Sequence, residues 1–289
     1  MDYLLHILIM CGIYAILSIS LNLLVGYTGL PAFGHAAFSC VGAYTSSLLA
    51  LDLGWSPWLG LVAGGVVAAV VGVVVAVPSL RIRGDYLALT TFGLAMIVYG
   101  VAKNWIGLTR GPLGLPGIPG FSLAGWSLSA NWAYLILVAA IVAVTVWAIG
   151  RIVHSPFGRV LNGIREDEIA TATLGKDVDR FKVTVFAVGA FFAGVAGVLY
   201  AHYVTFIDPS SFTLMESILI LLMIVFGGLG SITGSMVGAV LLVVFPEILR
   251  FVGFPSSVEA PLRQVIYGLL LVVLMIRRPQ GIMGKYRFS

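Results

Sequence analysis

Long apolar runs, most of them close to twenty residues, are separated along this chain by short polar or Gly/Pro-rich breaks. A helix crossing ~30 Å of hydrocarbon at ~1.5 Å per residue needs about 20 apolar residues. On that measure nine segments are predicted to span, near 3–26, 33–51, 57–77, 86–103, 132–150, 182–203, 213–229, 234–252 and 262–276. Backbone polar groups in lipid must be satisfied within the segment, which excludes open sheets and leaves helices. The expected fold is all-α: a polytopic integral membrane protein of about nine (8–10) transmembrane helices, with residues 1–289 forming a single transmembrane domain. The segment 33–51 is the least regular, since it carries His35, Ser39, Thr45, Ser46 and Ser47, and it is expected to be broken or re-entrant.

The breaks between these runs set the orientation. Alternation puts 78–85, 151–181 and 277–289 on one side, with twelve of the sixteen basic residues on that side or at its helix mouths. The positive-inside rule makes that side cytoplasmic, and nine spans then leave the N-terminus outside. The loop 104–131 faces outward and is rich in Gly and Pro, a turn-forming composition. A second outward loop, 204–212, contains Asp208-Pro209-Ser210-Ser211. Val25-Gly26-Tyr27-Thr28-Gly29 and Phe226-Gly227-Gly228-Leu229-Gly230 both end an inward span before a Gly-rich turn, a faint sign of the internal repeats found in transporters.

One break differs in kind. Residues 151–182 hold six basic and five acidic residues. Ser155-Pro156 reads as an N-cap followed by a first-turn proline, which has no N–H to leave unpaired. Phe157, Val160, Leu161 and Ile164 then recur at helical spacing and form one apolar stripe. Asp167 is placed to cap a second short helix that ends near Gly175, and Asp179 to cap the next span. Two short amphipathic helices are predicted. Their stripe suits either the bilayer surface or a protein partner, and the mixed-sign charge favours the partner.

Composition sharpens this picture. The chain is 60% apolar and 10% charged, against roughly 45–50% and about 25% in soluble domains. The net charge of +4 is spread over segment ends with no basic stripe, so no nucleic-acid partner is implied. Cys11 and Cys40 sit in apolar stretches as small buried hydrophobes. Asp2 follows Met1 without a basic leader region, so the first span is expected to stay in the mature protein.

Candidate chemistry is sparse. No Gly-x4-Gly-Lys-Ser/Thr phosphate loop is present, and His6, His35, His154 and His202 lack metal-ligand spacing. No catalytic residue, metal site or bound cofactor is assigned. Polar groups inside spans are costly and face either protein or a water-filled path. Asn22, Gly34, His35, Phe38, Ser39, Thr90 and Thr91 are the candidate pathway residues. For His35 and Asn22, packing between helices and lining of the path both stay open. Arg81, Arg83 and Asp85 sit at a cytoplasmic helix mouth, as a headgroup anchor or a gate. Glu216 and Glu247 fall near outer span ends; Glu216 snorkels or meets an external binding protein, and Glu247, after Pro246, marks a helix end.

Several stretches, in order along nearly the whole chain, resemble one known family. They are Phe33-Gly34-His35-Ala36-Ala37-Phe38, Leu80-Arg81-Ile82-Arg83-Gly84-Asp85, the run from Ser155 to Ala170, Phe226-Gly227-Gly228-Leu229-Gly230-Ser231 and Arg278-Pro279-Gln280-Gly281. This pattern resembles the permeases of branched-chain amino acid ABC importers, in particular the M type of their two permease subunits. The resemblance implies that the 151–181 segment is a coupling loop seated in an ATPase groove. Gly158, Arg159, Asn162, Arg165, Glu166, Asp167, Ala170 and Gly175 would form that contact. It also implies alternating access driven by ATP and Mg on two cytoplasmic ATPase subunits, a second homologous permease and an extracytoplasmic amino-acid-binding protein. Many relatives carry Asn in the outward Gly-Pro-Asn-Gly turn where this chain has Gly111-Pro112-Leu113-Gly114, and related permeases move urea or other amino acids. The rivals are an ion-coupled secondary transporter, which should carry mid-span carboxylates absent from these stretches, and a membrane-embedded enzyme, which would need clustered His, Asp or Cys.

Overall fold

The computed structural model describes residues 2–79, 85–123, 126–127, 130–251, 268–269, 272 and 281–284. Within them the chain is all-α apart from two very short strand pairs. The long helices are α1 (Asp2–Asn22, continued by a π turn over Leu23–Tyr27), α2 (His35–Asp52), α3 (Pro57–Ser79) and α4 (Asp85–Asn104). After a short α5 (Ile106–Thr109) come α6 (Asn131–Val153), α7 (Pro156–Glu166), α8 (Glu168–Thr173), α9 (Val178–Val204), α10 (Leu214–Gly227) and α11 (Ile232–Phe251). Six segments among the described residues are long and apolar enough to cross a membrane: Asp2–Tyr27, Pro57–Pro78, Tyr86–Asn104, Asn131–Val153, Val178–Val204 and Pro209–Gly227. Helices α2 and α11 fill two further expected spans, and 262–276 lies outside the described residues except for 268–269 and 272.

Helix α9 is the centre of the bundle. It packs against α2 and α3 on one side and α1 on the other, while α1 also meets α6, α10 and α11. Small residues set the distance at the first of these interfaces. A Cβ added to Gly42 of α2 would lie 2.4 Å from the Gly194 Cα of α9, so only glycine allows this backbone approach. Gly227 and Gly238 fit α10 to α11 in the same manner.

Outward-facing side chains fit a lipid surround. Leu59, Val62, Val66, Val70, Val74 and Val77 recur at helical spacing along α3 and are all exposed. Leu89, Phe92, Met96 and Ile97 do the same on α4. In water such a face would be a large uncovered apolar patch, whereas in a bilayer it is solvated.

Segment 33–51 corrects the expectation of a broken or re-entrant span, because α2 runs unbroken from His35 to Asp52. Most of its polar residues are buried inside the bundle. Ser46 and Ser47 are fully buried, and Ser46 Oγ pairs with His202 Nε2 of α9 at 2.7 Å. The irregular backbone lies just upstream, in the π turn and residues 28–34.

The two ends of the bundle are built differently. At one end, β1 (Leu115–Pro116) pairs antiparallel with β4 (Phe206–Ile207), and β2 (Ser122–Leu123) pairs with β3 (Trp126–Ser127). His202 Nδ1 lies 2.6 Å from the Pro119 carbonyl, tying the 105–130 loop to α9. The opposite end carries the charged pair α7–α8.

Candidate functional site

At the charged end, local sequence dictates local structure closely. Ser155 Oγ accepts from the Phe157 and Gly158 N–H groups at 3.1 and 3.4 Å, and Pro156 opens α7. Asp167 ends α7 and caps α8, its Oδ1 accepting from Ala170 N–H at 2.9 Å. Gly175 follows the end of α8 with φ +77°, the left-handed conformation that glycine adopts without strain. The capping assignment for α9 is corrected. Asp177, not Asp179, is its N-cap and accepts from Arg180 N–H at 3.2 Å. Asp179 falls two residues too late and sits within the first turn of the helix.

The apolar stripe of α7 turns into the protein. Leu161 and Ile164 are buried, and the Phe157 ring stacks on Phe181 of α9 with centroids 4.7 Å apart. Arg165 also points inward, donating to the Gly26 carbonyl in the π turn of α1. Gly29, at φ +72°, lies against the Arg165 side chain, where an added Cβ would come within 3.0 Å of Cγ. The opposite face is open. Arg159, Glu166, Asp167, Ala170 and Gly175 are exposed there, and so are the apolar side chains of Ile169 (65%) and Leu174 (79%). Gly158 is buried against the end of α6, and Asn162 keeps a buried carbonyl oxygen without a partner in the chain. Glu168 pairs with the buried Lys182 of α9 at 2.7 Å and fastens α8 to the bundle.

Asn22 occupies the hinge of this end. Its Nδ2 donates to the Ser231 carbonyl at 3.0 Å and to Ser235 Oγ at 2.7 Å, and its Oδ1 accepts from Gly230 N–H at 3.0 Å. The two glycine-rich turns that look alike in sequence therefore lie side by side. A Cβ at Gly26 would fall 2.6 Å from the Gly230 nitrogen. Residues 281–284 close the same turn, with Ile282 and Met283 N–H donating to the Phe226 and Gly227 carbonyls at 2.9 and 2.8 Å.

Inside the bundle lies a cavity of about 160 Å³ between α1, α2, α9 and α10. Ile13, Leu17, Ala36, Phe212 and Ile220 supply its apolar wall. Tyr14, Ser39, Tyr200, Ser210, Ser211 and Glu216 supply its polar one. The Glu216 carboxylate accepts from the Tyr14 hydroxyl, and Glu247 accepts from Tyr3. Glu216 therefore does not snorkel outward. Its position in the first turn of α10 lets it reach the middle of α1. Sequence reasoning weighed this residue only as a surface contact. Its signal was a carboxylate in the first turn of an apolar helix.

Of the seven sequence-derived pathway residues, Ser39 lines this cavity, and the other six are not among its lining residues. His35 is fully buried beside Phe38 and pairs with Ser20 Oγ at 2.8 Å. Thr91 bridges two elements, its Oγ1 donating to the Ala88 carbonyl and accepting from Phe33 N–H. A Cβ at Gly34 would strike the Thr91 carbonyl at 2.4 Å. Thr90 bonds the Tyr86 carbonyl within its own helix. Arg81 and Arg83 lie outside the described residues, and Asp85 is described only as the first residue of α4.

Comparisons with known proteins agree on a class. Residues 3–275 match the family model described as the branched-chain amino acid transport system permease component. The chain is 37% identical to the high-affinity branched-chain amino acid transport system permease protein LivM of Salmonella typhimurium, over 96% of this chain and 69% of that protein. It is 26% identical to the permease protein LivH of Escherichia coli K12, over 94% and 91%. The ribose import permease protein RbsC of the same organism is 23% identical over 95% and 85%. No solved structure matches. With a family match over nearly its whole length and a multi-pass helical bundle to go with it, this chain belongs to the branched-chain amino acid transport permease component family.

Proposed function

We propose that this chain is a permease subunit of an ABC importer that moves branched-chain amino acids inward across the cytoplasmic membrane by alternating access. The observation that carries the reading is the family match across residues 3–275. The bundle then has about nine membrane helices, its charged end is cytoplasmic, and the strand-tied loops face outward. Two ATPase subunits, which bind ATP and Mg, sit against α7 and α8, and this chain performs no hydrolysis itself. A second, homologous permease completes the membrane part, and an extracytoplasmic binding protein delivers the amino acid.

The geometry of α7 supports coupling. Its inner face holds the bundle, and α8 with its C-cap offers Ile169 and Leu174, two apolar side chains exposed among charges, which suits a groove on a protein partner. A displacement of α7 reaches α1 through Arg165 and Gly26, and α11 through Asn22 and the 230–235 turn. Because α1 also carries Tyr14 in the cavity wall, motion at the charged end has a continuous packed route to the cavity.

Reconstitution of the four membrane and ATPase subunits in proteoliposomes with the binding protein tests this reading. Leucine uptake should need ATP and should persist when an ionophore collapses ion gradients. Uptake that survives without ATP and collapses with the ionophore would overturn it in favour of ion coupling.

A further inference from the structure

The cavity between α1, α9 and α10 has a chemistry that the coupling argument leaves unused. Its polar side is acidic or neutral. Glu216 holds one hydroxyl, that of Tyr14, and an ionised carboxylate can accept about four hydrogen bonds. Neither ion pair found among the described residues involves Glu216. Among the described residues, no lysine, arginine or histidine lines the cavity. At the mouth, Ser210 and Ser211 both donate to Asp208, which keeps a second negative charge beside the entrance. A half-buried carboxylate with no cationic partner among the described residues is costly, and its natural complement is a cation that arrives from outside.

The other wall is apolar and shaped by side chains. Ile13 and Leu17 of α1 face Ile220 of α10 and Phe212. A volume of about 160 Å³ compares with the roughly 150 Å³ apolar cavity that holds benzene, so it suits a ligand of about six to nine heavy atoms. One anion on one side, a short aliphatic wall on the other, and that size together describe a small primary ammonium compound with a branched aliphatic tail.

We propose that this cavity is a substrate-binding station within the permease, in which Glu216, positioned by Tyr14, takes the α-ammonium group of an aliphatic amino acid while Ile13, Leu17 and Ile220 hold its side chain. The station rests on the importer reading above and adds where, and by which group, the permease itself holds its cargo. It also assigns the cavity's selectivity. The amino group is required, the carboxylate is met by hydroxyls alone, and a sugar is excluded because it brings no cation.

Cysteine protection tests the station directly. Ser210→Cys, at the exposed rim, is labelled with a membrane-impermeant maleimide in the assembled importer, and the unsubstituted chain supplies the background. L-Leucine and 3-methylbutylamine at millimolar concentration should slow labelling at least about threefold. 4-Methylpentanoate, the same skeleton without nitrogen, should leave it unchanged. In a Glu216→Gln background the concentration of leucine needed for protection should rise at least tenfold, and Tyr14→Phe should give a smaller shift in the same direction. The analogue comparison uses an intact cavity, so it decides the matter even where Glu216→Gln does not assemble. Equal protection by 4-methylpentanoate overturns the proposal, and so does protection by sodium chloride alone. ATP-driven leucine uptake is measured on the same preparation. Uptake without leucine protection sinks the station and leaves the importer standing, whereas absence of uptake sinks the importer and the station with it.

Discussion

Asn22 and Asp208 show how single side chains hold irregular backbone. Asn22 satisfies a donor and an acceptor of the 230–235 turn and bonds the Ser235 hydroxyl in a buried site. Asn22→Ala strands the Gly230 N–H, while the Ser231 carbonyl keeps the Ser235 N–H and hydroxyl, and an unsatisfied buried group costs about 1–3 kcal/mol. Thermal unfolding in detergent should show that loss. At the end that carries the strand pairs, burial raises the Asp208 carboxyl, but hydrogen bonds from Ser210 and Ser211 outweigh it and hold the group below its ordinary value of 3.8. Its folded value is therefore lower than its unfolded one. The resulting stabilisation is full above the ordinary carboxylate range and is lost as pH falls through the folded value. The melting difference between the wild type and Asp208→Asn should be constant near neutrality and shrink below about pH 4. Of these residues, Asn22 was visible in sequence as a polar group in an apolar run. Its partners were not, because they lie more than two hundred positions away. Glu216 was visible in the same limited sense. An outer-end carboxylate reads as a surface residue until the fold brings Tyr14 to it.

Helices here obey local rules where they meet water and packing rules where they meet each other. The caps of α7 and α8 follow from Ser155, Pro156, Asp167 and Gly175, so these elements were legible before any tertiary information. Ser155→Ala should cost about 1 kcal/mol of local stability, read as faster amide exchange confined to the first turn of α7. The α9 cap was misassigned by two residues, because Asp177 and Asp179 satisfy the same local rule and only the path of the chain from α8 chooses between them. In α2 the count of hydroxyls suggested a broken helix. The Ser46 hydroxyl instead meets α9, and the helix is whole. Interfaces carry a different prediction. Gly42→Ala places its Cβ on the Gly194 backbone, which cannot swing aside, and overpacking of this kind costs about 1–3 kcal/mol. Gly93→Ala and Gly100→Ala meet nothing within 4 Å and should be neutral or slightly stabilising. Melting temperatures of the three variants in one detergent provide the comparison.

The whole molecule joins a charged end to a central cavity through α1. Arg165 and Asn22 both engage the region where α1 unwinds into a π turn, an irregularity that often marks a functional hinge. If the open face of α7–α8 is the ATPase seat, Ile169→Glu with Leu174→Glu should abolish copurification of the ATPase while the chain still melts as the wild type does. Arg165→Ala should instead keep the ATPase bound and lower transport per ATP hydrolysed, since the contact it removes lies on the bundle side. Undiminished copurification in the first variant would move the seat elsewhere. The sequence by itself determined the membrane class, the helical content and the two capped helices, because these depend on hydrophobicity and on contacts within a few residues. The tertiary structure decided which face of α7 is inner, that two similar glycine turns touch, and that Tyr14, Tyr200, Ser211 and Glu216 share a cavity. Those outcomes depend on how apolar helices choose neighbours. In lipid that choice is made by the shape and spacing of small residues, which no run of hydrophobicity along the chain records.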